Sequence, residues 1–102
     1  MQLQFKEGVQ LTITKAVNEL LQAGVTAFTT VNKPCVVTSG RDGQHQVNSK
    51  HYTNEALDFR TFHLQGDELH TVVQALQRTL GENFDVVIEA SHLHVEYDKK
   101  DK

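Results

Sequence analysis

The sequence predicts one α+β domain, a small, mostly antiparallel sheet packed against two helices. Three observations point there. Two stretches carry apolar residues at helical spacing, and several short segments rich in strand-forming residues lie between turn signals. The last two of these segments are close enough to pair as a hairpin. A chain of 102 residues has room for one core and little else. A single domain is therefore expected over residues 1–102, with no linker, internal repeat or low-complexity segment.

The elements follow in order. After a short polar start, Val9, Ile13, Ala16, Val17, Leu20 and Leu21 recur at helical spacing, and Gly24 is the expected C-terminal stop. Over residues 25–31 the β-branched and aromatic content rises, a strand signal, and Asn32-Lys33-Pro34 marks a turn. Residues 35–39 read as a buried strand. Residues 40–48 are polar and contain glycine, hence a loop, while residues 56–62 alternate in a strand-like way. Gly66-Asp67-Glu68 opens a second helix with Asp67 as its N-cap. Leu69, Val72, Val73, Leu76 and Leu80 form the apolar face and Gly81 the end. Residues 84–89 carry a continuous apolar run, as expected of a central strand. Ala90 and Ser91 then connect to residues 92–97, which alternate polar and apolar in strict period two.

Composition excludes several classes of function. The net charge of −3 argues against a nucleic-acid binder that works by neutralising phosphates. The only basic cluster, Lys99, Lys100 and Lys102, is interrupted by Asp98 and Asp101 and reads as a solvated terminus. No stretch approaches the roughly 18 apolar residues that span a membrane. Residues 1–15 lack the basic-then-apolar pattern of a signal peptide, so a cytoplasmic location is expected. Cys35 is the only cysteine, which rules out an internal disulfide and a multi-cysteine zinc site. Its apolar neighbours favour core packing over nucleophilic chemistry.

Six histidines are many for this length, and four of them, His45, His51, His92 and His94, fall in segments that look least like packing. In a strand, residues two apart share a face. His92, His94 and Glu96 therefore point one way, Leu93 and Val95 the other. Two imidazoles aimed together make a metal platform or an acid/base pair, or simply a solvent-facing strand. Six residues separate His51 from Asp58, and a loop between them can bring imidazole and carboxylate together at the entry to a strand. With one histidine from the later hairpin they supply two nitrogens and one oxygen. Catalytic zinc uses such a set, three protein ligands with a fourth position left for water.

The pattern Ser49-x-His51, six residues, Asp58, with Glu89 shortly ahead of His92-x-His94, resembles the zinc peptidases that include D-alanyl-D-alanine carboxypeptidases. That family also holds phage endolysins cutting the L-alanyl-D-glutamate bond, and the amino-terminal domain of hedgehog proteins shares its fold. The resemblance covers residues 37–97, about 60% of the chain. It implies a hedgehog-like fold and Zn2+ held by His51, Asp58 and His94. It also implies Glu89 as general base toward water and His92 as a stabiliser of the oxyanion. Family members differ in the spacing between the Glu and the last ligand. A ligand three residues after the Glu would be His92, whereas the His-x-His subgroup uses the second histidine, His94.

Asn54 stands where the family has Gly, and Asn is the residue other than Gly best suited to a left-handed backbone. Arg41 lies where family members bind a substrate carboxylate, and a bidentate guanidinium suits that role. A solvated loop arginine is the other reading. Ser49 reads as a turn cap or a hydrogen-bonder near the site, and His45 as a surface loop residue. No role is assigned to His63 or His70. The resemblance implies a peptidase acting on peptidoglycan stem peptides, reaching the wall by release during phage lysis or by carriage in a virion. The alternative is a zinc-binding interaction module of the same fold without catalysis, for which Glu89 would have no use.

Overall fold

The computed structural model describes residues 3–42 and 50–99. The element order is β1 (Leu3–Phe5), α1 (Lys15–Thr29), β2 (Cys35–Ser39), β3 (Ala56–Arg60), α2 (Glu68–Leu80), β4 (Phe84–Ile88) and β5 (His92–Tyr97). The strands form one mixed sheet in the order β1-β2-β3-β5-β4, in which β1 and β2 run parallel and every other pair antiparallel. This is the α+β arrangement expected from the sequence. His45 and Ser49 lie outside the described residues, as do Lys100 and Lys102.

Both helices cover one face of the sheet. Strand alternation sends Leu57 and Phe59 of β3, and Leu93 and Val95 of β5, into a core shared with Val17, Leu20 and Phe28 of α1 and Val72 and Leu76 of α2. The intervening residues Asp58 and Arg60 of β3 and His92, His94 and Glu96 of β5 then face the other way. That second face carries the polar chemistry. Cys35 belongs to the core, fully buried, and burial pushes its thiol up to about 12, the state of an inert packing residue.

Helix α1 departs from the sequence reading at both ends. It begins at Lys15, not near Val9, because Thr14 is extended and its hydroxyl accepts the Val17 N–H at 3.1 Å, an N-cap. Val9 and Ile13 happen to fall at helical spacing but lie ahead of that cap, and Ile13 is exposed. At the other end the helix continues through Gly24 to Thr29, so the strand signal over residues 25–31 is overruled by tertiary packing. Asn32, at φ 58°, makes the left-handed exit.

Gly24 is in the helix because the chain has no space there for a side chain. A Cβ would sit 2.8 Å from Phe59 Cζ and 2.9 Å from Cys35 Sγ. Overpacking of this kind costs about 1–3 kcal/mol, against roughly 1 kcal/mol gained when Ala replaces Gly in a helix. Gly24→Ala is therefore expected to destabilise, lowering the urea midpoint at unchanged slope; a raised midpoint would contradict this packing account.

Helix α2 matches its expected span. Asp67 occupies the N-cap position but makes no side-chain capping bond, and Gly81 ends the helix at φ 84°. Strand β4 is not central. It is an edge of the sheet, and its apolar run leaves Val87 and Ile88 exposed. The short strand β1 carries only three residues and too little pattern to be seen in sequence.

Candidate metal centre

Three loops and strands converge on the polar face. β3 and β5 pair so that Asp58 lies directly opposite His94 and Arg60 opposite His92. The ladder between β2 and β3 shifts register between Val37 and Ser39, an irregularity that redirects the chain at Gly40. Gly40 is pinned there: its N–H donates to Asp42 Oδ1 at 2.9 Å, and the next residue's N–H donates to the Gln10 carbonyl at 2.6 Å. An added Cβ at Gly40 would collide with Gln10 O.

The turn bearing His51 is closed by Glu55 N–H to Lys50 O at 2.9 Å and Asn54 N–H to His51 O at 3.2 Å. Asn54 takes φ 58°, the left-handed backbone expected of it. Its carbonyl accepts the Thr14 hydroxyl at 2.7 Å, and its side-chain oxygen accepts the Thr12 N–H at 3.2 Å. The cap of α1 thus also anchors the turn that carries His51.

His51 is 1% and Asp58 7% exposed, the only buried polar or charged residues of the described chain. His51 Nε2 lies 3.1 Å from Asp58 Oδ1 and 3.0 Å from His94 Nδ1, and His94 Nδ1 lies 3.1 Å from Asp58 Oδ1. These three atoms form a nearly equilateral triangle. Ligands about 2.0–2.1 Å from a tetrahedral metal stand roughly 3.3 Å apart, so the triangle needs to open only slightly to fit.

The other ring nitrogens fix the tautomers. His51 Nδ1 meets the Gly40 carbonyl at 2.6 Å, and His94 Nε2 meets Glu96 Oε1 at 2.7 Å. Both oxygens only accept, so both nitrogens donate. With both rings neutral, what remains at the centre is one lone pair from each imidazole and one from the carboxylate. Three converging lone pairs require a cation, either a proton or a metal. Metal-bound histidines typically donate their second N–H to a carbonyl or carboxylate, and both of these do. His51, Asp58 and His94 are thus a group that could hold a metal ion.

The charges of the metal-free cluster follow from the same contacts. The Asp58 carboxylate hydrogen-bonds with His94, which together with Glu96 outweighs burial and raises the His94 imidazole to about 9. Burial would push Asp58 up, but the His51 and His94 hydrogen bonds overcome it and hold the carboxyl far below its ordinary range. The raised His94 value stabilises the fold fully below pH about 6.5 and is lost as pH rises through about 9. The lowered Asp58 value stabilises above pH about 4 and is lost as pH falls. Metal-free protein is therefore expected to melt highest between about pH 4 and 6.5 and to lose stability toward pH 9, measurable by thermal unfolding in chelator. A melting temperature still climbing between pH 7 and 9 would refute this charge assignment.

His92 and Glu89 sit beside the triangle. His92 Nε2 is 2.9 Å from Glu89 Oε1 and 3.6 Å from Asp58 Oδ2. The hairpin turn that carries Glu89 is closed by its own N–H to His92 O at 2.9 Å. Of the two histidines on this strand, His94 points its nitrogen into the triangle, and His92 stands next to it against the other oxygen of Asp58. Arg41 is exposed and follows Gly40 directly. Two partners were missed in sequence. Glu96 was visible as a same-face neighbour of His94, and its spacing of two could have suggested the bond. The Gly40 carbonyl left no side-chain signal at all.

No protein-family model matches the chain, and no curated protein matches it. Among the described residues, no helix is long and apolar enough to cross a membrane.

Proposed function

We propose that this chain is a zinc-dependent peptidase of hedgehog-like fold that hydrolyses peptidoglycan stem peptides, as a D,D-carboxypeptidase or an L-Ala-D-Glu endopeptidase. The observation that carries the reading is the Glu89–His92 pair at 2.9 Å, standing beside a metal-ligand triangle that is already complete without either residue. A site built only to hold a metal has no need of a second carboxylate–imidazole pair at its rim.

His51, Asp58 and His94 are the residues that would hold zinc, two nitrogens and one oxygen as hydrolytic zinc sites use. When bound, the ion supplies Lewis acidity and a water of lowered pKa. Glu89, half-exposed and bonded to His92, would take the proton of the attacking water and later pass it to the leaving amine. His92 donates from Nε2 and can turn that N–H toward the carbonyl oxygen of the substrate as charge develops. The Gly40 carbonyl and Glu96 hold the imidazoles of His51 and His94 in orientation, so the rings need not reorganise during the reaction.

The test is incubation of zinc-loaded and chelator-stripped protein with defined stem peptides, with products identified by mass spectrometry. Cleavage of one bond by the loaded form alone is expected. A protein that takes up zinc but cuts no stem peptide would instead be the non-catalytic binding module.

A further inference from the structure

Arg60 is the one basic residue on β3, and its charge is unspent. It stands opposite His92 on the metal-bearing face, where directly opposed side chains have their Cβ atoms about 5 Å apart. Its Nε is buried without a hydrogen-bond partner. Among the described residues its guanidinium enters no ion pair. The acids near it are engaged elsewhere, Glu89 with His92 and Asp58 with His51 and His94. What holds the guanidinium is the ring of Phe62, whose centroid lies 4.6 Å from Cζ. That ring is itself 73% exposed, so it serves as a surface platform and buries little of its own area in the core.

We infer that Arg60, stacked on Phe62, is a carboxylate-binding subsite on the metal face that selects peptides carrying an acidic group. A guanidinium over an aromatic face keeps its N–H edge free and in one plane, the geometry that takes a carboxylate bidentately. The spacing gives a length. Arg60 lies two residues along the strand from Asp58 and leans toward Phe62, which puts its head on the order of 10 Å from the triangle. An extended peptide covers that distance in about three residues. The carboxylate read by Arg60 is thus removed from the scissile bond and is distinct from any group met by Arg41, beside Gly40.

The inference rests on the peptidase reading for its substrate, and its test is read separately. The probes are an N-acetylated alanine tetrapeptide with a free C-terminal carboxylate and the same peptide as its amide. Their affinities are compared by calorimetry for zinc-loaded and metal-free protein. The parent is expected to prefer the carboxylate by about tenfold or more, with the preference shrinking as salt is raised. Arg60→Gln should reduce it below about twofold, and Arg60→Lys should keep part of it as a point charge without the fork. Phe62→Leu should weaken it with the charge intact, and thermal unfolding checks that each variant is folded.

A parent without preference, or an Arg60→Gln protein that keeps the parent's, overturns the inference. Zinc content and cleavage are measured on the same samples. A chain that discriminates through Arg60 yet cuts nothing overturns the peptidase reading and leaves the subsite standing.

Discussion

His51→Ala is expected to reduce bound zinc from about one ion per chain to a trace, measured by elemental analysis after gel filtration. His51 contributes one corner of a triangle whose edges are 3.0 and 3.1 Å, and a site with three protein ligands has none to spare. Loss of an outer partner typically costs 10–100-fold in metal affinity; loss of a ligand costs more. The change also has a structural cost. His51 is fully buried and satisfies the Gly40 carbonyl at 2.6 Å. Alanine leaves that oxygen without its partner, about 1–3 kcal/mol for an orphaned buried acceptor, while Asp58 keeps His94 at 3.1 Å.

Two controls separate ligation from folding. Asp58→Asn keeps the size of the side chain but removes its charge, and should lose zinc as thoroughly. His70→Ala, at an exposed position on α2, should bind zinc as the parent does. A folded His51→Ala protein that still carries one zinc per chain would remove the triangle from consideration as the metal centre.

The parts of this centre that could be read in the sequence are those where one residue's chemistry implies its geometry. The period-two run of β5 sent His92 and His94 to the polar side because Leu93 and Val95 had to enter the core. Asp58 was legible through its spacing from His51, at the entry to a strand-like segment. Asn54 was legible as a left-handed position because so few other residues tolerate one. What stayed hidden was non-local. Gly24 has the look of a helix stop, and only the approach of Phe59 and Cys35 from other strands explains why it lies mid-helix. The apolar run of β4 suggested a central strand, but strand order depends on which edge β5 leaves open, a tertiary outcome that the run itself does not encode. The Gly40 carbonyl is a backbone atom brought to His51 by a register shift in β2. No composition or spacing announces such a contact. Arg60 was hidden in a different way. Its residue type was plain, but its lack of a counter-charge is visible only once the acids nearby have been seen to pair with histidines.

Glu89→Gln is the substitution that separates binding from catalysis. The glutamine oxygen can still accept from His92 Nε2, now 2.9 Å from Glu89 Oε1, so the hairpin and His92 keep their places. Glu89 contributes no corner of the triangle, so zinc content should remain near one per chain. What is lost, on the proposed mechanism, is the carboxylate that would accept a proton. General-base catalysis contributes typically 10²–10⁴-fold, and kcat on a cleaved stem peptide should fall by about that factor with KM little changed, since the substrate contacts are intact. His92→Gln makes a useful companion. It removes the proposed oxyanion donor and should also lower kcat, about 10²–10³-fold by analogy with deletion of one oxyanion donor. Because Glu89 and His92 act as a hydrogen-bonded pair, the double variant should lose less than the product of the two single losses. Cleavage by Glu89→Gln at the parent's rate would mean that the proton goes elsewhere. The hydrolytic role would then have to move to another base, although the metal triangle, which stands on independent contacts, would be untouched.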